Sequence, residues 1–571
     1  MIFPAILQAV EDEASSRFEL CPGITVETEE YLRLTEPEQI LVCSGVGQPP
    51  YNEVTWNQQQ YFLRNFLHDR GFFQFKMERT ESGRVRIDLG PRSVIREVRL
   101  VNTPYDLQVN RFWKIFGRDM TPDALNQLES WLNLELSRSG YPCANVNTKA
   151  YPLGDEVIID LGQPSLMEFS EVEMELIPGT IGGVERRFNA FHRGDRYDSM
   201  LLDLTVQRMI NDELVISANY NVNCQPEYEE VHVRLQNIAG KPRLVTFGLG
   251  FDTEEFFIVE GAWRNNRMGE MASRLEASVR ASFREQRAFI GFDWFYAPMV
   301  IRHSIRSQLT AERLNEPNFE SNRYEARTGP AWTWDTAPNL YDLWGSVAFD
   351  QVETLRGEGP GMARAIMFRL DLSMMSHDYE YFLLNPRSGY RLGSSAEFSA
   401  KAFGSDYSAT RLNINGAHLW NLFDLEPAVW ILGLRGQLTT IDLGRDTTPD
   451  EFPTNRRLRL GGSQNLRGFG RQKLPGDGAL TSAYLGAELR IREVIPYNIQ
   501  PILFYDFGRI GLEGYRLENA NFWSPGFGVH WDTMIGTFRA SLAHGFVSGE
   551  LEDQFQHLER WQAYLSYGEQ F

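Results

Sequence analysis

The chain has 571 residues, 42% hydrophobic and 23% charged, which excludes a disordered or collagen-like polypeptide. Its formal net charge of -20 repels phosphate backbones and argues against nucleic acid as a partner. No run of about 18 apolar residues occurs, so no transmembrane helix is expected, but that leaves open a barrel whose strands cross a bilayer.

The chain opens on an apolar stretch, Met1 to Val10, with no Lys or Arg ahead of it and Glu11-Asp12-Glu13 behind it. A complete signal peptide needs a basic start. Residues 1–23 are therefore set apart, either as the tail of a signal sequence or as an ordered N-terminal segment such as a short plug.

From residue 24 to 240, helical and strand periods alternate. Val54 to Arg70 predicts a helix with Trp56, Phe62, Leu63, Phe66 and Leu67 on one side. It is followed by two alternating runs, Phe73 to Met77 and Val85 to Leu89, joined at Ser82-Gly83. The same order returns in the next unit. Thr121-Pro122 starts a helix, Leu125, Leu128, Leu132 and Leu136 form its stripe, and Gly140 stops it. A strand from Cys143 and a return through Val157, Ile159 and Leu161 close that unit. The tetrapeptide IDLG ends both, at Ile87–Gly90 and Ile159–Gly162. A third unit places strands at Phe169–Leu176, Ile216–Val222 and Val231–Leu235 around a helix at Asp198–Ile210. Three modules are thus expected at 24–92, 93–163 and 164–240.

From 241 to 571 the helical period disappears and strict alternation takes over. Leu275, Ala277, Val279, Ala281 and Phe283 face one way, and Arg274, Glu276, Ser278, Arg280 and Ser282 the other. Ile366–Met374 and Ser482–Ile491 repeat the pattern, with Tyr484, Gly486 and Glu488 on the polar face of the latter. A sandwich core rejects such charged faces, whereas a hydrated lumen accepts them. Trp332, Trp334, Trp344, Trp420, Trp430 and Trp523 cluster near strand ends, as interfacial girdles do. About 329 residues at roughly 20 per strand give about 16 antiparallel strands.

Cys21, Cys43, Cys143 and Cys224 form no CxxC pair, and no HExxH occurs, so no metal site is expected. Four cysteines allow three disulfide connectivities. An oxidising compartment favours Cys21–Cys43 with Cys143–Cys224, and the alternative is four buried thiols.

Arg459 to Phe469 reads RLGGSQNLRGF, and Phe504 to Gly508 reads FYDFG. Trp531-Asp532-Thr533 precedes Gly536-Thr537-Phe538-Arg539, and the chain ends LSYGEQF at Leu565–Phe571. Together these motifs resemble the BamA/TamA superfamily of outer-membrane β-barrel proteins with periplasmic POTRA domains. The resemblance covers the chain from about residue 24. It implies α+β POTRA repeats of order β-α-α-β-β followed by an antiparallel transmembrane barrel. It also implies a lumen loop carrying Gly461, Gly462, Arg467, Gly468 and Phe469, whose Arg467 meets Asp506 beside Gly508. The last strand would carry the C-terminal β-signal, with Leu565, Tyr567, Gly568 and Phe571.

The residues support that pairing. Asp506 lies opposite Tyr505 and Phe507, so it points inward, and a guanidinium can hold a carboxylate bidentately. Gly468 is expected to turn the chain sharply, and Gly461 and Gly462 to admit tight entry to the loop. Such a pair either serves the activity or only stabilises the barrel. Gly248 and Gly250 in the first barrel strand and Gly568 in the last predict a weak seam, because glycine lowers strand stability.

Three modules and a barrel of this size look most like the TamA branch, which helps insert autotransporters and other barrel proteins. The expected partners are outer-membrane lipid, unfolded client proteins taken up by strand addition, and an inner-membrane protein at the POTRA end. A two-partner secretion transporter or a transport pore is the alternative. With nine His and no GxSxG motif, neither catalysis nor a cofactor is expected.

Overall fold

The computed structural model describes residues 17–567 except 22, 28–31, 36–37, 39–41, 43–54, 82–83, 298–300, 384 and 534–535. Two compact units result. One comprises residues 1–137 with 143–165, the other residues 138–142 with 166–571. The turn expected at Ser82-Gly83, Cys43, Gly568 and Phe571 fall outside the described residues.

Each of the three modules is built on the same sheet order. The first strand runs parallel to the last, and the last pairs antiparallel with the middle one. In the first module these are Ile24–Glu27, Val85–Asp88 and Lys76–Arg79. In the second they are Glu97–Val101, Glu156–Asp160 and Asn147–Tyr151. In the third they are Glu168–Met174, Glu230–Ala239 and Val215–Gln225. The IDLG repeat marks one recurring device at the end of the central strand. Ile87 and Ile159 are fully buried. Asp88 and Asp160 then accept the amide N–H of Gly90 and Gly162, at 3.3 and 3.0 Å.

Helices Trp56–His68, Pro122–Arg138 and Ser199–Asn211 cover one face of these sheets. The leucine stripe of the second behaves as its spacing requires, with Leu128, Leu132 and Leu136 buried. Where a first helix was expected in the second and third modules, the chain makes short 3-10 turns, at Val109–Arg111, Trp113–Ile115 and Glu185–Phe188. One strand was not anticipated: Arg17–Cys21 pairs antiparallel with Ile24–Glu27 and extends the first sheet. The segment expected to end at residue 23 thus contributes to that module. Cys143 and Cys224 are both disulfide-bonded.

The remainder is a closed antiparallel barrel of 16 strands, from Arg243–Asp252 to Trp561–Tyr567. The fifteenth strand is split at Gly545 into Gly536–His544 and Phe546–Gly549, both paired with the fourteenth. Outward residues are apolar and exposed to lipid. Inward residues are charged and paired, as with Arg306 on Asp293 at 3.2 Å and on Asp342 at 3.0 Å. The lumen thereby satisfies charges that a dry core would reject. One girdle assignment is wrong: Trp344 lies on the inward face, 5% exposed, with the Arg327 guanidinium 3.4 Å over its ring. Proximity to a strand end does not fix which face a residue takes; parity does.

Within the second unit the third module is docked on the periplasmic turns of the barrel. Arg208 donates to both carboxylate oxygens of Glu380, at 2.8 and 2.6 Å, and to Asp335 at 2.7 Å. His377 also contacts Asp335, at 3.0 Å.

Candidate functional site

The lumen loop spans 444–480, between the strands Trp430–Leu443 and Thr481–Ile491. A small hairpin, Leu458–Leu460 with Leu474–Ala479, stiffens it. Leu460, Leu466, Phe469 and Leu474 pack into one buried cluster with Ile510 and Phe522 of the wall, so the loop brings its own apolar core into the lumen.

Arg467 sits at the tip. Its Nε and Nη2 donate to the two oxygens of Asp506 at 2.8 and 3.0 Å, and its backbone N–H donates to the same carboxylate at 3.2 Å. Nη1 donates to Glu488 at 2.8 Å, and the guanidinium lies 3.3 Å from the centroid of the Phe504 ring. Tyr484 donates to Asp506 at 2.9 Å. Asp506 is fully buried and Arg467 is 6% exposed. A planar cation held by two carboxylates and an aromatic face has almost no freedom to reorient.

The glycines act as a set, but not all as expected. Gly461 and Gly462 have left-handed φ of 109° and 115°, which side chains avoid. Gly468 sits in the turn closed by the Phe469 N–H on the Leu466 carbonyl at 3.0 Å, without a left-handed φ. A Cβ there would meet the Gly545 nitrogen and Ser524 Cβ at 2.5 Å each, so its role is close backbone approach to the break in the fifteenth strand. A Cβ on Gly508 would meet Leu466 at 2.7 Å, so that glycine leaves room for the loop. Phe469 is buried edge-on to Phe522, and its carbonyl accepts from the Tyr564 hydroxyl at 2.8 Å.

Sequence reasoning missed several partners. Glu254, in the turn after the first barrel strand, accepts from Ser463 N–H at 3.1 Å. Arg471 holds Glu316 at 2.8 Å and Glu255 at 3.1 Å. Parity had already turned Tyr484 and Glu488 inward; nothing in the sequence paired them with Arg467.

Among the described residues, the first strand pairs with the last only at Phe251 with Tyr567 and Asp252 with Ser566. The Thr253 N–H adds one bond to the Leu565 carbonyl at 3.0 Å. On its other side the first strand pairs over its whole length, Arg243 with Asn265 through Asp252 with Phe256. Phe247 and Leu249 are 84% and 77% exposed on the lipid face. Among the described residues, the atoms nearest a Cβ on Gly248 and Gly250 lie at 3.7 and 3.4 Å.

Fold and site together define a transmembrane β-barrel protein with a pinned lumen loop and POTRA-ordered modules. Residues 319–571 match the family model of the Omp85 superfamily domain. The barrel belongs in the bacterial outer membrane, with the modules in the periplasm. Among solved structures, the chain is similar to BamA from Haemophilus ducreyi lacking POTRA domains 1-3, at 14% identity and TM-score 0.49, over 83% of this chain and 99% of that one. It is also similar to CdiB from Escherichia coli, at 12% identity and TM-score 0.47 over 90% and 97%, and to CdiB from Acinetobacter baumannii, at 13% and 0.45 over 83% and 89%. No curated protein matches the chain.

Proposed function

We infer that the protein inserts β-barrel or autotransporter clients into the outer membrane through the seam between its first and last strands. The meeting of the first and last strand edges, seen among the described residues at Phe251 with Tyr567 and Asp252 with Ser566, carries this reading. Backbone N–H and C=O groups left bare in hydrocarbon cost several kcal/mol each, so a strand edge there is a strong template for a client strand. The pinned loop fills the lumen beside that seam: Glu254 ties it to the turn of the first strand, and Tyr564 ties it to the last. Arg467, Asp506 and Gly468 thereby hold the loop in place, while Leu565 and Tyr567 supply the closing edge. Three modules ahead of the barrel support the TamA-like branch over a two-partner secretion transporter.

A cysteine pair at Phe251 and Tyr567, which face each other in register, tests this reading. Oxidation is expected to stop insertion of a reporter β-barrel into proteoliposomes, and reduction to restore it. Undiminished insertion by the locked protein refutes lateral opening. Secretion of a soluble partner through the locked barrel would favour the transporter instead.

A further inference from the structure

The third module and the barrel rim enclose a cavity of about 790 Å³ that the insertion reading does not use. It lies where the periplasmic ends of the ninth and tenth barrel strands, Gly389–Ser399 and Ala409–Leu422, meet the segment before helix Ser199–Asn211. Its lining joins three kinds of group. Asp195, Asp198, Asp378 and Asp424 contribute carboxylates, Arg138 and Arg196 guanidinium groups, and Tyr390 and Trp420 aromatic faces.

Register places this cavity at a definite depth. Tyr390 is opposite His418, and both share the outward face with Leu392 and Ile414, which are 44% and 52% exposed to lipid. The His418 ring stacks on Trp420 at 3.9 Å. The aromatics are thus the periplasmic girdle, and the cavity opens beside them at the level of the inner-leaflet headgroups.

We propose that this cavity binds the headgroup of a zwitterionic aminophospholipid of the inner leaflet. A primary ammonium suits a site that offers carboxylates and aromatic faces together. Arg196 is the phosphate partner in the same cavity, and the acyl chains lie against Leu392 and Ile414. A cavity of this size is in the range of small-molecule sites. An anionic headgroup without an amine meets the four aspartates of the lining unfavourably. The proposal needs only the membrane position of the barrel, so it survives if lateral insertion fails.

The test is native mass spectrometry of the full chain released from micelles doped with phosphatidylethanolamine, phosphatidylglycerol or phosphatidylcholine. Phosphatidylethanolamine is expected to be retained about fivefold over phosphatidylglycerol. Asp378→Asn and Trp420→Ala should each bring the two lipids to parity while keeping the heat-modifiable gel shift of a folded barrel. Equal retention, preference for phosphatidylglycerol, no retained lipid, or folded variants that keep the preference would each overturn the proposal. A choline preference would replace the primary-amine ligand with a generic cation. The unmodified protein's lipid ratio decides the question even if a variant does not fold.

Discussion

Two sides of the barrel show how differently one strand pattern can be closed. Between the seventh and eighth strands, Asn339 through Glu353 pair without interruption with Ser376 through Met362, fifteen residue pairs in register. Across the seam the described residues give two. Both sides alternate apolar and polar residues, and they differ in what holds them from inside the barrel. The wall is sealed by a long ladder and by charge pairs beneath it, such as Arg323 with Asp350 at 2.7 Å. The seam is held largely from inside, by a loop that reaches the turn after the first strand and the hydroxyl of Tyr564. A ladder is cooperative along its length, whereas a plug fixes a few points and leaves the edge between them accessible.

The comparison can be broken most strongly at the plug. Asp506→Ala leaves Arg467 buried with Glu488 alone. Breaking such a pair costs about 3–5 kcal/mol, less where lumen water reaches it. The expected result is a lower temperature for losing the heat-modifiable gel shift, together with protease access to residues 444–480. Gly468→Ala comes next, since its Cβ must displace Gly545 and Ser524 from 2.5 Å; the expected cost is about 1–3 kcal/mol by the same assay. Gly361→Ala, with no atom within 4 Å, should be neutral.

A wall mutation sharpens the contrast. The sixth and seventh strands lose register pairs at Gly329-Pro330, and a Cβ on Gly329 would meet the Gly345 carbonyl at 2.0 Å. Gly329→Ala should speed amide exchange locally on the wall and leave client insertion unchanged, whereas an equal disturbance at the seam should alter insertion.

A further effect lies outside the membrane. Burial pushes the Asp198 carboxyl up to about 6 from the usual carboxylate range. Its folded form therefore holds a proton more tightly than the unfolded chain, and the module gains stability as pH falls from about 6 towards 4. Asp198→Asn can keep the cap that Asp198 gives the Met200 N–H at 2.8 Å. It should slow amide exchange of helix Ser199–Asn211 at pH 7.5 by the equivalent of about 1–3 kcal/mol, with the gain fading near pH 4.

Much of this molecule was legible in one dimension because its elements repeat with short periods. The IDLG pair marked the central strands of two modules, and parity turned Asp506, Tyr484 and Glu488 inward. Those features depend on neighbours within a few residues, where the 2.0 and 3.6 periods act. Only the tertiary structure decided that Gly468 is pressed against Gly545 and Ser524, and that Glu254, Glu316 and Tyr564 hold the loop. The contacts of Glu254, Glu316 and Tyr564 join residues 95 to 209 positions apart, and no local period records which distant backbone will be pressed against a glycine.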